Sequence, residues 1–133
     1  MQYLIMLLVV IGLAAADFLT GLLKGYATGT ISSKVMRKGG LNKLCEIIVM
    51  ASSCGLEIGI TELGKYYHNP KLAEIAGNFT AIAVFCYIIL MEIVSLLENY
   101  SEINPDAGWA ISLIKKLKVH NERKDEDVIN KKK

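Results

Sequence analysis

The chain is poor in the residues on which soluble enzymes and secreted scaffolds depend. Its 133 residues hold two histidines, His68 and His120, and three cysteines, Cys45, Cys54 and Cys86, each cysteine inside an apolar run. No Cys-x-x-Cys or His-x-x-x-His pair occurs, and no glycine-rich loop follows a strand-like segment. The sequence therefore offers no catalytic constellation, no metal-ligand set and no cofactor site. An odd number of cysteines in apolar runs reads as small packing residues and excludes a disulfide framework. Both prolines fall in turn signals, Asn69-Pro70 and Asn104-Pro105-Asp106. Charge of one sign is also lacking: 15 basic and 13 acidic residues leave a formal +2, too balanced to imply nucleic acid. The length suits one domain, and there is no internal repeat.

What is abundant is apolar sequence. Hydrophobic residues make up 53% of the chain and charged residues 21%, and the charge is unevenly placed. Three runs are long enough to cross a hydrocarbon core of about 30 Å at about 1.5 Å per residue. The first, residues 3–23, contains the single charge Asp17. Its Ala14-Ala15-Ala16 resembles a signal-peptide cleavage site, but no Lys or Arg precedes it and the apolar run resumes after Asp17. The second, residues 44–63, is interrupted by Glu46, Glu57 and Glu62; the third, residues 73–97, has an uncharged centre from Ala81 to Met91. After Asn104-Pro105-Asp106, Trp109 to Val119 reads as a basic amphipathic helix. Its apolar face is Ala110, Leu113, Ile114 and Leu117. Residues His120 to Lys133 are almost wholly polar and are expected to be disordered.

The expected fold is an all-α integral membrane protein with three transmembrane helices, a basic amphipathic C-terminal helix and a disordered tail. Residues 1–104 form the transmembrane domain and 105–133 a basic cytoplasmic extension. Orientation follows from the basic residues. The first loop holds Lys24, Lys34, Arg37, Lys38 and Lys43, and the C-terminal region holds Lys115, Lys116, Lys118 and the terminal lysines. Three spans put both segments on one side, so the positive-inside rule places the N-terminus out and the C-terminus in. The lysines and arginine named here, with Trp109, are expected to set topology and meet lipid headgroups.

The polar residues inside the spans are the informative ones, because an ionised side chain at a span centre costs about 2.5–3.5 kcal/mol on insertion scales. At 100° per residue Glu46, Ser53, Glu57 and Gly64 share one face of the second span. Asn78, Glu92 and Asn99 lie on one heptad-spaced line of the third, broken by Phe85. Asp17 shares a face with Gly21 and Lys24, so a snorkelling Lys24 is expected to offset its charge. Glu57, in the outward half, must be protonated in lipid or face another helix or water. Small residues recur at four-residue spacing as Gly12-Ala16-Thr20, Ala51-Gly55-Gly59 and Ala73-Gly77-Ala81, a pattern that suits close helix packing or self-association. Gly21, Gly25 and Gly29 read the same way. The pore-lining or helix-interface candidates are Asp17, Gly21, Glu46, Ser53, Gly55, Glu57, Gly59, Asn78, Glu92 and Asn99.

Two stretches carry a family resemblance. Asp17-Phe18-Leu19-Thr20-Gly21, followed by Ile31-Ser32-Ser33-Lys34 and Gly39-Gly40-Leu41-Asn42-Lys43, resembles the first half of the phage holin family that includes the clostridial toxin-secretion holins. Met91 to Asn99, MEIVSLLEN, resembles that family's second signature. Asn104-Pro105-Asp106 stands where the family would have a glycine-containing turn before proline. The resemblance implies a non-enzymatic, multi-pass protein of the bacterial cytoplasmic membrane. Such proteins oligomerise and open lesions through which a cytoplasmic endolysin, or in the clostridial relatives a toxin, escapes. It implies the lipid bilayer and further copies of the chain as direct partners, with the endolysin a functional partner that need not touch it. The competing readings are a small ion-coupled transporter or channel subunit using a membrane carboxylate, and a membrane adaptor with a basic tail.

Overall fold

The structure, a computed structural model, describes residues 1–118. Three long helices account for most of it: α1 (Gln2–Ala27), α2 (Ser33–Tyr66) and α3 (Pro70–Ile103). Each is long and apolar enough to cross a membrane.

Local chemistry sets the two reversals. After α1, Gly29 takes a left-handed conformation (φ 66°). Its N–H donates to the Tyr26 carbonyl (3.3 Å), and the Thr30 N–H donates to that of Gly25 (2.9 Å), the bond pair of a Schellman cap. α2 ends in the same way with His68 in the left-handed position (φ 56°). There the His68 N–H donates to the Lys65 carbonyl (3.3 Å) and the Asn69 N–H to the Gly64 carbonyl (2.9 Å). Pro70 then opens α3, where a missing N–H costs nothing. Gly29 thus makes a turn and does not pack between helices, contrary to the sequence expectation.

The helices outrun the expected spans. The stretch expected to form a first basic loop is largely helix: Lys34, Arg37, Lys38 and Lys43 all lie on α2, and the connection shrinks to residues 28–32. Gly39-Gly40 is no stop, since a mid-helix glycine costs only about 1 kcal/mol. A 34-residue helix is about 51 Å long, so the first turns of α2 reach beyond a hydrocarbon core of about 30 Å. α3 likewise extends past 73–97 at both ends.

α2 and α3 pack most extensively on each other, and α1 meets α2 least. Small residues set the α2–α3 approach. A Cβ on Gly77 would lie 3.1 Å from both Glu57 Cγ and the Glu57 carbonyl oxygen, and one on Gly64 would collide with Ala73. The middle layer is apolar: Val10, Met50, Cys54 and Ile88, flanked by Met6, Leu7, Ile47, Val84 and Phe85. The outer faces are apolar as well, with Leu4, Leu8, Leu19, Ile48, Leu56, Phe79 and Leu90 exposed, as lipid-facing surfaces are.

Beyond α3 the chain turns at 104–107 and is helical again over 108–118. This segment folds back on α3: Ala107 and Ala110 are buried, the Trp109 ring lies 5.8 Å from that of Tyr100, and Lys118 Nζ is 2.6 Å from Glu98 Oε1. Of the expected apolar face, Ala110 is buried, Ile114 and Leu117 are half-buried, and Leu113 is exposed. The expected disorder of His120 to Lys133 concerns residues outside those described.

Candidate functional site

The polar residues of the spans gather into two nodes, one at each end of the apolar middle layer. Along α1 they are marked by Tyr3 and Asp17, about 21 Å apart at about 1.5 Å per residue.

The larger node is built around Lys43. Its Nζ lies 2.8 Å from Asp17 Oδ2 on α1, 2.7 Å from Glu92 Oε2 on α3 and 3.4 Å from Glu46 Oε2 one turn along α2. One ammonium therefore ties all three helices together. Asn99, on α3, completes the node by donating from Nδ2 to Asp17 Oδ1 (3.0 Å) and to Thr20 Oγ1 (3.3 Å). Gly21 lies beside it, and a Cβ there would meet Asn99 Nδ2 at an ordinary contact distance of 3.6 Å. The Glu92 side chain is fully buried and Lys43 is 17% exposed. Removing one partner from such a pair generally costs about 3–5 kcal/mol, because it leaves the other charge uncompensated. The compensation here is already incomplete. Among the described residues, Glu92 Oε1 is buried without a hydrogen-bond partner, and Glu46 Oε2 is buried with only its 3.4 Å ion pair to Lys43.

The smaller node is at the opposite end. Glu57, buried on α2, accepts a hydrogen bond through Oε1 from Tyr3 Oη (3.0 Å) and a longer one from Gln2 Nε2 (3.4 Å), both on α1. Glu57 thus faces another helix, and the Gly77 backbone packs against it from α3.

Several expected placements change. Lys24 does not offset Asp17: it pairs with Glu102 on α3 (3.3 Å), and Lys43 takes its place. Lys43, expected among headgroups, lies inside the bundle. Lys34, Arg37, Lys38, Trp109, Lys115, Lys116 and Lys118 are exposed. Ser53 is buried but donates to the Val49 carbonyl of its own helix (2.8 Å). Asn78 is half-buried on α3. Gly55 and Gly59 face outward with no atom of the chain near a Cβ placed on either, as does Gly12. Gln2, Tyr3, Gly64 and Gly77 were not anticipated as site residues. The two glycines do fall on lines already visible in the sequence, and Tyr3 lies at the head of an apolar run. Their partners, however, are set by how the helices pack. Among the described residues, no group of three or more His, Cys, Asp or Glu side chains is arranged to hold a metal ion.

Three apolar helices that turn Asp17, Lys43, Glu57 and Glu92 inward and many aliphatic residues outward define a multi-pass membrane protein. A family model described as the bacteriophage holin family matches residues 1–119, and the chain belongs to that family. No curated protein and no solved structure matches it. The family is not one of enzymes, and its members act at the bacterial cytoplasmic membrane in phage lysis.

Proposed function

We propose that this chain is a holin that accumulates in the bacterial cytoplasmic membrane, oligomerises, and forms lesions through which an endolysin or a toxin leaves the cytoplasm. We place the end carrying Lys24, the start of α2 and residues 108–118 on the cytoplasmic side, by the positive-inside rule. The observation that carries the reading is the way each helix divides its surface. Polar residues of all three helices close on one another inside a single chain, while small-residue stripes such as Ala51-Gly55-Gly59 face outward.

That division supports a physical route from a closed to an open state. Outward small residues let the backbones of neighbouring copies approach in lipid, where association depends on close packing. A ring of copies whose helices then rearrange turns the inner polar nodes to water. Asp17, Glu46, Glu57, Glu92 and Asn99 are the lining candidates, and Gly55 and Gly59 the contact candidates. Lys34, Arg37 and Lys38, at the start of α2, and Trp109, Lys115 and Lys116 are assigned to the headgroup region.

The test is an induced-expression time course that follows membrane potential and escape of a cytoplasmic enzyme together. Abrupt depolarisation after a delay, with enzyme release, is the expected outcome. Retention of both, with abundant protein in the membrane, contradicts the reading and favours a transporter or adaptor.

A further inference from the structure

We propose that Lys43 is the latch that sets when the bundle opens: it holds an acidic surplus closed across the weakest seam of the fold. The inference rests on the holin reading and assigns that function a timing residue.

Three observations converge on Lys43. The first is location. α1 packs least against α2, and two clefts, about 290 and 310 Å³, run along that seam, both lined by Lys43. The tie from Lys43 Nζ to Asp17 Oδ2, 2.8 Å long, joins α1 to α2 across this seam. The second is connectivity. The same nitrogen reaches Glu92 on α3 at 2.7 Å, so losing it frees α1 and α3 from α2 at this end together. The third is charge. One ammonium faces three carboxylates, Asp17, Glu46 and Glu92; among the described residues Glu92 Oε1 is buried without a hydrogen-bond partner, and Glu46 Oε2 is buried with only the longest of the three contacts to Lys43, 3.4 Å. Like charges crowded in a poorly hydrated site repel. The closed node is therefore held by one cation, among the described residues, against its own excess, and it is poised to separate when water or a rearranged neighbour offers the carboxylates a better environment.

A residue that merely maintains structure and a latch under tension predict different things. Damage to an ordinary core node shifts behaviour one way, whichever member is removed. Here removing the cation and removing an anion act in opposite directions. With amounts in the membrane matched, Lys43→Met should shorten the delay before depolarisation. Glu92→Gln and Glu46→Gln, each relieving the surplus by one charge, should lengthen it, and Lys43→Arg should stay near the unmodified chain.

Delays that move in the same direction for Lys43→Met and Glu92→Gln, or that do not move, overturn the latch. Should Lys43→Met fail to accumulate, the two glutamine variants decide: a delay unchanged or shortened in both overturns the proposal. An unmodified chain that never depolarises the membrane defeats the holin reading itself, and that outcome is distinct from a chain that fires on time regardless of Lys43.

Discussion

Glu57 shows how a single acid is accommodated in an apolar span. Among the described residues no lysine pairs with it; it is held by the neutral donors Tyr3 and Gln2 from the neighbouring helix. A neutral hydrogen bond contributes about 1 kcal/mol net, but an acceptor left unpaired in a buried site costs about 1–3 kcal/mol. Tyr3→Phe should therefore lower the thermal stability of the purified protein in detergent by about 1–2 kcal/mol without changing its helix content. An unchanged melting profile would show that the Tyr3 hydroxyl does not support Glu57. Lys43 shows the opposite arrangement, with one strong cation shared among acids of all three helices. It also marks the limit of reading partners from sequence. Lys43 stands at the edge of an apolar run, where a lysine at a span end ordinarily meets headgroups. Glu46 is one turn away on its own helix, but only the position of α1 and α3 reveals that two further carboxylates, Asp17 and Glu92, wait on its inner side. Lys24 was misassigned for the complementary reason: sharing a helical face with Asp17 put it within plausible reach, but α3 brought Glu102 nearer.

At the scale of elements, the glycines divide by what lies opposite them. Gly64 and Gly77 sit where α2 and α3 approach, with Ala73 and Glu57 against them; Gly55 and Gly59 look outward into open space. Gly77→Ala and Gly64→Ala should each destabilise the bundle by about 1–3 kcal/mol through overpacking. Gly55→Ala and Gly59→Ala should leave it as stable or slightly more so, since alanine favours helix by up to about 1 kcal/mol. Thermal unfolding checks the stabilities. On the oligomer reading the outward pair should nevertheless delay depolarisation, because a methyl group holds two copies further apart. The three helices were legible from the lengths of their apolar runs, and the inward face of α2 from the spacing of Glu46, Ser53, Glu57 and Gly64. The ends of α2 were not. A basic, glycine-containing stretch looks like a loop until its continuity with a strong helix is seen, and Gly39-Gly40 is too weak a break to stop α2. Nor does a lone helix wheel tell which small-residue stripe meets another helix of the same chain: Ala73-Gly77-Ala81 does, and Ala51-Gly55-Gly59 does not.

At the scale of the whole molecule, the closed chain is a bundle with an apolar middle and a polar node towards each end, wrapped in lipid-compatible side chains. On the proposed holin reading, a lesion forms when the helices part and several copies share their inner faces. The residue that reports this most directly is Cys54, buried in the apolar layer between the nodes. With Cys45 and Cys86 replaced by serine, its thiol serves as a probe for a small, membrane-impermeant alkylating reagent applied before and after depolarisation. The account predicts that Cys54 is unreactive while the membrane potential holds and is labelled once it collapses. A Cys54 that stays unlabelled in cells that have depolarised and released their enzyme would show that the inner faces of the bundle never meet water, and would contradict the account.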